Sequence, residues 1–208
     1  LLPNYRGAAP INWAVMNEET ETGVTTFFIE KEIDTGRIIE QAKVTIGENE
    51  NVGELYERLM RLGADVIYST VQMIMKGDST SVPQEELIST HLMPAPKIYN
   101  KDCRVSFNQP VEKVHNFCRG LSPYPGAWCL LFNKEKNETK SYKIISTSKT
   151  EIKSAAKNEL KSSDEGILFP CSDNYLLVTE IQPEGKRKMS FKDFIAGNSI
   201  QNLVVSTN

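Results

Sequence analysis

The residue best suited to chemistry in this 208-residue chain is Asp34, which lies between an isoleucine and Thr-Gly in the segment KEIDTG. Two stretches rich in β-branched and aromatic residues flank it, at 23–29 and 37–46, and each is typical of a strand. A carboxylate on the turn between two strands accepts hydrogen bonds from the turn and can still point one oxygen into a cleft. The same tripeptide is common as a simple Asx turn, so the sequence leaves both a catalytic and a structural role open.

Two helical segments accompany these strands. Residues 9–16 predict a short helix with a proline in its first turn, where the missing N–H costs little. From Asn51 the apolar residues recur every few positions, which predicts a long helix over 51–76 that ends at Gly77. Asn51 and Glu54 have the spacing of a capping box at its start.

The second half of the chain predicts a different architecture. A short helix over 110–119, with Asn108 as its cap, precedes short strand-like runs separated by polar turns that carry lysines. Such spacing is typical of a small antiparallel barrel. A last helical turn over 190–196 follows, with Ser190 as its cap. The strand-like runs are 127–132, 141–147, 166–169 and 175–181.

Charge is divided unevenly along the chain. Residues 1–95 carry 7 Lys and Arg against 15 Asp and Glu, whereas residues 96–208 carry 17 against 12. Two halves of opposite sign indicate two modules, the second facing a polyanion, although two ordinary solvated surfaces explain the charges equally well. Prolines mark 78–100 as a linker, so we expect a first module at 1–77 and a second at 101–208.

Composition excludes several classes of protein. No stretch approaches the roughly 18 consecutive apolar residues of a membrane span, and the start shows no basic segment followed by an apolar run, so we expect neither a membrane nor a secreted protein. The four cysteines lack C-x-x-C spacing and a histidine pair at ligand spacing. They indicate reduced thiols in a cytoplasmic protein, and we expect no metal site.

Five segments resemble, in order and at fitting distances, one enzyme family. They are LLPNYRGAAPINW at 1–13, ETGVTTF at 21–27, IDTG at 33–36, APK at 95–97 and LSPYPGAW at 121–128. Together they are similar to the methionyl-tRNA formyltransferase family. The resemblance extends to QPEGKRKMSFKDFIAG at 182–197, which is similar to the closing segment of that family.

This resemblance implies a fold and an activity. Members of the family transfer the formyl group of 10-formyltetrahydrofolate to the amino group of methionine on initiator tRNA, for translation initiation. Their doubly wound α/β domain is followed by a small OB-like barrel, in agreement with the division of charge. We therefore expect an α/β remnant of a doubly wound formyltransferase domain, followed by a small antiparallel β-barrel (OB-like) domain that binds tRNA.

The resemblance also assigns roles in the site. Asp34 takes the place of the family's catalytic aspartate, and Leu1, Leu2 and Pro3 line the pocket for the folate and its formyl group. Attack of an amine on the formyl carbon creates a tetrahedral oxyanion that needs an amide donor, and the departing folate nitrogen needs an acid. In the family an Asn and a His supply these groups, and the aspartate orients the His and a water.

The chain departs from its relatives at its first residue. The family's Asn-x-His precedes a Ser-Leu-Leu-Pro segment, and this sequence begins at the first of those leucines. Neither His91, in the predicted linker, nor His115, on a helix of the second module, is expected to replace that histidine. We therefore expect the Asn, the His and half of the catalytic domain to lie upstream. The chain alone is expected to transfer no formyl group and to expose apolar surface on the helix at 51–76.

Basic residues in the second half are candidates for contacts with tRNA. A lysine cluster and a second, shorter patch together suit RNA phosphates better than any single lysine does. On a barrel of the OB type they favour nucleic acid as the partner. The cluster contains Lys134, Lys136, Lys140, Lys143, Lys149, Lys153, Lys157 and Lys161, and the patch contains Lys186, Arg187 and Lys188.

Three further residues have two candidate roles each. Arg6 and Gly7 are candidates for substrate binding, in which Arg6 steers the terminal adenosine or a folate carboxylate. Alternatively, Arg6 braces the turn at Gly7. Tyr124 and Trp128 either stack on a base or pack at a corner that joins a helix to a strand, and the prolines around them favour the corner.

Other functions stay open at this point. One alternative is an RNA-binding module without catalysis, and another is a related formyltransferase that acts on a nucleotide-linked amino sugar. A third is a hydrolase that releases formate from the same donor. RGAAPI and the lysine-rich barrel favour the tRNA enzyme, with initiator methionyl-tRNA and folate as partners of a protein that we expect to be monomeric.

Overall fold

The computed structural model describes residues 1–88, 92–154 and 158–206. The chain divides into two compact units, Leu1–Ile98 and Tyr99–Asn208. The segment predicted to be a linker is 78–100. Its described residues up to position 98 lie in the first unit. Backbone pairing joins Val82 to Ile38 and Ala95 to Gly7 within that unit.

The first unit has the α/β composition that the sequence predicts. Its elements are helix α1 (Pro10–Met16), strands β1 (Glu21–Phe27) and β2 (Ile38–Thr45), and helix α2 (Val52–Lys76). The two strands pair antiparallel, with Thr25 opposite Gln41. A 3₁₀ turn at Gln84–Leu87 follows α2.

Helix α2 begins and ends as its sequence predicts. The Asn51 side chain accepts hydrogen bonds from the amides of Gly53 and Glu54, while the Glu54 carboxylate accepts from the Asn51 amide. Gly77 closes the helix in the left-handed conformation, with φ of 75°. Both ends therefore satisfy backbone groups that a helix terminus leaves unpaired.

One face of α2 forms the core of the first unit. Leu55 and Leu59 pack with Ala14 and Val15 of α1 and with Ile46 after β2. A second apolar face of the same helix is exposed, as expected from the sequence. Its members recur at helical spacing and are Tyr56, Met60, Ile67, Val71 and Ile74.

The second unit contains an antiparallel sheet and two α-helices, α3 (Val111–Leu121) and α4 (Phe191–Gly197). Six strands follow the order β5-β6-β7-β4-β3-β9, and β8 pairs with β7 at one end. The described strands are β3 (Ala127–Asn133), β4 (Glu138–Lys153), β5 (Lys161–Ser162), β6 (Ile167–Pro170), β7 (Asn174–Pro183), β8 (Met189–Ser190) and β9 (Leu203–Val205). Three of the four predicted strand-like runs lie within β3, β4 and β7, and the fourth, 166–169, overlaps β6.

Helix α3 is capped differently from the prediction. The prediction of Asn108 as its cap is wrong, because Pro110 occupies the cap position and has no side-chain acceptor there. Instead, Oδ1 of Asp173, from the turn before β7, accepts a hydrogen bond of 2.8 Å from the amide of Val111. The prediction for α4 is confirmed, since the Ser190 hydroxyl accepts from the amide of Asp193.

The four cysteines are buried free thiols, as the sequence predicts. Burial raises the pKa of Cys129 and of Cys171 to about 12. Across the described ranges, no group of three or more His, Cys, Asp and Glu side chains is arranged to hold a metal ion. No helix within the same ranges has the length and apolar character needed to cross a membrane.

Candidate functional site

A cleft of about 310 Å³ opens in the first unit beside the turn that carries Asp34. Asp34 contributes to its wall together with the first residues of the chain and with β1. Two of the three residues predicted to contact folate, Leu1 and Leu2, line this cleft, and Pro3 between Leu2 and Asn4 is buried. The remaining lining residues include Tyr5, Gly7, Ile11, Gly23, Val24 and Phe27.

The carboxylate of Asp34 is held by the segment that carries Gly7. The Gly7 amide donates a hydrogen bond of 3.1 Å to Oδ2 of Asp34, so the acceptor is bonded by a distant segment and not by its own turn. Asp34 itself has a positive φ of 56°, a conformation that is uncommon for residues other than glycine. Within the described residues, the Gly7 amide is the hydrogen-bond donor to this carboxylate, and Asp34 is among the residues that line the cleft.

Two glycines allow the backbone to approach this closely. At Gly7, with φ of 133°, an added Cβ would lie 2.4 Å from the carbonyl oxygen of Ala95. At Gly36, two residues after Asp34, an added Cβ would lie 1.6 Å from the carbonyl oxygen of Phe28. The glycines of RGAAPI and of IDTG are therefore required by steric contact with neighbouring backbone.

Beneath the Asp34 turn lies a buried glutamine that the sequence does not mark as functional. Gln84 is 0% exposed and its Nε2 donates hydrogen bonds to the carbonyl oxygens of Asp34 (2.9 Å) and Gly36 (2.8 Å). Its Oε1 accepts from Nε and Nη2 of Arg6 at 3.1 and 2.7 Å. In this structure the Arg6 guanidinium thus braces the site through Gln84.

Tyr5 forms part of the wall of the cleft in a strained conformation. It has φ of 58° and is buried, and its hydroxyl donates a 2.6 Å hydrogen bond to Oε1 of Glu19. Asn17 donates to the same hydroxyl from the opposite side. Burial, followed by the hydrogen bond to Glu19, raises the pKa of Tyr5 to about 12, so the phenol stays neutral in the folded protein.

The start of the chain is also attached to the strand pair. Nε2 of Gln41, on β2, donates to the carbonyl oxygen of Leu2 at 2.7 Å and to the hydroxyl of Thr25 at 3.0 Å. This contact places the Leu-Leu-Pro segment against the edge of the cleft, and Gln41 is a second contact residue that the sequence does not reveal.

The structure brings most of the predicted basic residues to one end of the sheet in the second unit. Lys143 of β4 lies opposite Gln182 of β7, and the Glu184 amide donates to the Ser141 carbonyl. The segment that carries Lys140 and Lys143 and the turn that carries Lys186, Arg187 and Lys188 are therefore neighbours. We call this region, together with Lys134 and Lys136 in the turn between β3 and β4, the basic end.

Acidic residues neutralise part of the basic end. Lys134 pairs with Glu159 at 3.2 Å, Lys140 with Glu138 at 2.8 Å and Lys188 with Glu180 at 3.5 Å. Within the described ranges, no carboxylate lies at ion-pairing distance from Lys136, Lys186 or Arg187, and all three are exposed. These three cations are therefore the ones best placed to meet an external anion.

The other lysines of the predicted cluster lie elsewhere. Lys149 and Lys153 are opposite Leu176 and Asn174 at the far end of β4, and Lys149 pairs with Glu112 at 2.8 Å. Lys161 lies on the edge strand β5, and Lys157 is outside the described residues. Among the cluster residues on β4, Lys140 and Lys143 therefore lie near one end of the strand, and Lys149 and Lys153 lie towards the other.

A second cleft, of about 420 Å³, adjoins the basic end. Trp128, Lys143, Gln182 and Glu184 are among the residues that line it. The Trp128 ring nitrogen donates to the Asn100 carbonyl. Tyr124 lies in the corner between α3 and β3, as predicted, but it is 81% exposed and does not pack there.

Neither histidine of the sequence is shown beside Asp34. His115 is fully buried in the second unit, with Nδ1 at 2.8 Å from the Thr147 hydroxyl. His91 lies outside the described residues. The described part of the cleft therefore offers a carboxylate, main-chain donors and an apolar wall, and no imidazole.

Comparison with known proteins identifies the family of this chain. Residues 1–71 match the family described as Formyl transferase, and residues 97–199 match Formyl transferase, C-terminal domain. The chain belongs to the formyltransferase family. The methionyl-tRNA formyltransferase of Bacteroides fragilis is 42% identical over 95% of this chain, and that of Phocaeicola vulgatus is 43% identical over 95%. The chain spans 61% and 62% of their respective lengths.

Solved structures share the fold at lower sequence identity. HypX from Aquifex aeolicus, in complex with tetrahydrofolic acid, superposes with a TM-score of 0.69 at 18% identity and covers 93% of this chain and 33% of its own. An N-formyltransferase from Helicobacter canadensis, in complex with folinic acid and dTDP-3-aminofucose, has a TM-score of 0.63 at 22% identity. It covers 88% of this chain and 63% of its own.

Proposed function

We propose that the full-length protein transfers a formyl group from 10-formyltetrahydrofolate to the amino group of methionine on initiator tRNA. Support comes from family matches in both units and from relatives that carry the methionyl-tRNA formyltransferase name. The observation that carries the proposal is the hydrogen bond from Gly7 to Asp34. It holds the carboxylate of IDTG at a cleft that Leu1 and Leu2 also line.

In this proposal the cleft of the first unit receives the folate donor. Leu1 and Leu2 offer apolar contact to the ring system, with the buried Pro3 fixing the segment between them and Asn4. Apolar walls with a few placed polar groups are typical of small-molecule sites. The cleft volume of about 310 Å³ is at the lower end of the range for such sites, which is about 300–1,000 Å³.

Asp34 has the role of an orienting carboxylate in this reaction. Gly7 binds Oδ2, and the carboxylate of this cleft-lining residue is proposed to accept a hydrogen bond from the N–H of an imidazole or from a water. An adjacent carboxylate favours the charged form of an imidazole and thereby raises its pKa. The proposal assigns the imidazole and the oxyanion-stabilising carboxamide to residues of the full-length protein other than His115, which is buried in the second unit.

The second unit is proposed to be an OB-like barrel that binds the tRNA through the basic end. Its antiparallel strands curl around a core that includes Leu131, Ile144, Val178 and Ile181. The exposed cations Lys136, Lys186 and Arg187 are suited to phosphates, which supply most of the affinity for nucleic acid in a salt-dependent way. The buried reduced thiols agree with a cytoplasmic location for this activity.

The decisive experiment replaces Asp34 with asparagine in the full-length protein. Formylation of methionyl-tRNA is measured with 10-formyltetrahydrofolate as donor, and Asp34→Asn is expected to lower kcat by about 10²- to 10⁴-fold, as loss of an acid–base partner does. Glu32→Gln, on the same turn and exposed, is the matched control and should keep wild-type turnover. Unchanged kcat in Asp34→Asn would overturn the proposed role.

The same assay tests which acceptor is formylated and whether the 208-residue chain is active by itself. Initiator methionyl-tRNA should be formylated, and a nucleotide-linked amino sugar should neither be formylated nor compete. The 208-residue chain alone should bind RNA without transferring formyl groups. Equal rates for the 208-residue chain and the full-length protein would contradict the requirement for an imidazole from outside these residues.

A further inference from the structure

Gln84 is a buried polar side chain near the site, and its hydrogen-bonding capacity is fully used. It is 0% exposed, and each of its side-chain atoms that can form hydrogen bonds makes two of them, to Arg6 on one side and to the Asp34 turn on the other. These contacts join segments that are 48 to 78 residues apart. A buried amide left without these partners would carry the full desolvation penalty of its donor and acceptor groups, so the arrangement is strongly specified.

The orientation of this amide is determined by its partners. Arg6 presents only N–H groups, so the oxygen of Gln84 must face Arg6. The carbonyls of Asp34 and Gly36 accept only, so the NH₂ group must face the turn. A side chain with one acceptor end and one donor end of this length is therefore required, and glutamine is the residue that provides it.

The segment before Gln84 is attached to the same turn. Arg37 donates from Nε to the Ser81 hydroxyl at 2.9 Å and from Nη2 to the Ser81 carbonyl. Val82 and Ile38 exchange backbone hydrogen bonds of 2.8 and 2.9 Å. Gln84 thus begins the 3₁₀ turn that follows this pairing, two residues after Val82, whose backbone is anchored to Ile38 shortly after the Asp34 turn.

Asp34 needs such control because its backbone is strained. A positive φ of 56° at a residue other than glycine is unfavourable and persists only where surrounding contacts hold it in place. The donors of Gln84 hold the carbonyl of Asp34 itself and that of Gly36. With both carbonyls held, the direction of the Cα–Cβ bond of Asp34 is fixed, and this bond presents Oδ2 to the Gly7 amide.

We propose that Gln84, oriented by Arg6, is a positioning residue that fixes the direction of the Asp34 carboxylate. The inference rests on the proposed function, because it assigns Gln84 a role in formyl transfer through Asp34. Arg6 then acts on the site through Gln84 and not through direct contact with substrate. A misplacement of about 1 Å in a reacting group can lower the rate by about 10².

The first test is Gln84→Met in the full-length protein, which keeps the side-chain length and removes all four hydrogen bonds. We expect kcat for formylation of methionyl-tRNA to fall by about 10- to 100-fold, with KM for folate and for tRNA within about threefold. Glu85→Ala, on the same 3₁₀ turn and exposed, is the control and should keep both constants. Loss confined to KM, or unchanged kcat, would overturn the inference.

A double-mutant comparison separates positioning from general loss of structure. In the Asp34→Asn background, Gln84→Met should cause no further loss of kcat in single-turnover assays, while lowering the melting temperature as much as it does in the wild type. Additive losses of kcat would overturn the positioning role. An Asp34→Asn variant that keeps full activity would instead refute the proposed function, so the two failures are distinguishable.

A second variant covers the case in which Gln84→Met does not fold. Gln84→Glu keeps the contact with Arg6 as an ion pair but replaces the NH₂ donors with an oxygen that repels the carbonyls of Asp34 and Gly36. It should show the same selective loss of kcat, and wild-type kcat in this variant would refute the role of the two donated hydrogen bonds.

Discussion

The backbone amide of Gly7 lies 3.1 Å from Oδ2 of Asp34 and donates a hydrogen bond to it. The two residues belong to motifs that are separated by 27 positions in the sequence. The contact joins two short sequence motifs, RGAAPI and IDTG, into one site, in which the main chain of a distant loop binds the carboxylate.

Substitution of Gly7 is expected to damage both stability and the site. Gly7→Ala places a Cβ 2.4 Å from the Ala95 carbonyl oxygen, so the loop must shift and the amide must leave Asp34. Gly77→Ala is the matched control, because Gly77 also has a positive φ but no atom lies within 4 Å of an added Cβ. Gly77→Ala should cost about 1–2 kcal/mol, because a residue with a Cβ is disfavoured in the left-handed conformation, and Gly7→Ala should cost more in denaturant unfolding. Only Gly7→Ala should lower formylation, and equal effects of the two variants would contradict this account.

The acid stability of the second unit is expected to depend on Asp173. Burial opposes its ionisation, but hydrogen bonds from the amides of Val111 and Asn174 hold its pKa below the ordinary value. A lowered pKa contributes stability that is present above the unfolded value of 3.8 and is lost as the pH falls through the folded value.

Asp173→Asn should therefore reduce the difference in unfolding free energy between neutral pH and acid pH, measured by urea denaturation. Asp164→Asn, at an exposed site, should leave that difference unchanged. An Asp173 variant with the wild-type pH dependence would show that the cap of α3 carries no charge-dependent stability.

The buried thiols predict loss of stability in alkali. Burial raises the pKa of Cys129 from 9.0 to about 12, and a raised pKa contributes stability that is complete below the unfolded value and lost as the pH rises through the folded one. Between about pH 9 and 12, each such thiol should remove about 1.4 kcal/mol per pH unit. Cys129→Ala should make the pH slope shallower, with unfolding followed by Trp128 fluorescence in a Trp13→Phe background under reducing conditions. Identical slopes would contradict the assignment.

The basic end predicts a salt-dependent contribution to tRNA binding. Alanine at both Lys186 and Arg187 should weaken binding of initiator methionyl-tRNA by the full-length protein. It should also reduce the slope of log K against log salt by about 1 to 2, since each lost phosphate contact removes about 0.7–0.9. Lys153→Ala, at the far end of β4, should leave the slope unchanged. Equal slopes in all three proteins would place the RNA elsewhere.

The sequence alone determined those features that depend on neighbours within a few residues. Asn51 and Glu54 specify the start of α2 and Gly77 its end, because a helix terminus is satisfied by side chains one turn away. Stretches rich in β-branched and aromatic residues likewise located the strands around Asp34, and short strand-like runs between polar turns located those of the second unit. The family resemblance rested on the same local patterns, since RGAAPI and IDTG are each contiguous.

The tertiary structure alone decided which distant groups meet. The roles of Gln84 and Asp173 carry no local signal. The partners of Gln84 are 48 to 78 residues away, and Val111, whose helix Asp173 caps, is 62 residues away. The same holds for the basic end, where the pairing of β4 with β7 joined Lys143 to the turn at 184–188 and sent Lys149 and Lys153 to the opposite end. Strand register and loop closure depend on the whole folded unit, and so the positions of these side chains do as well.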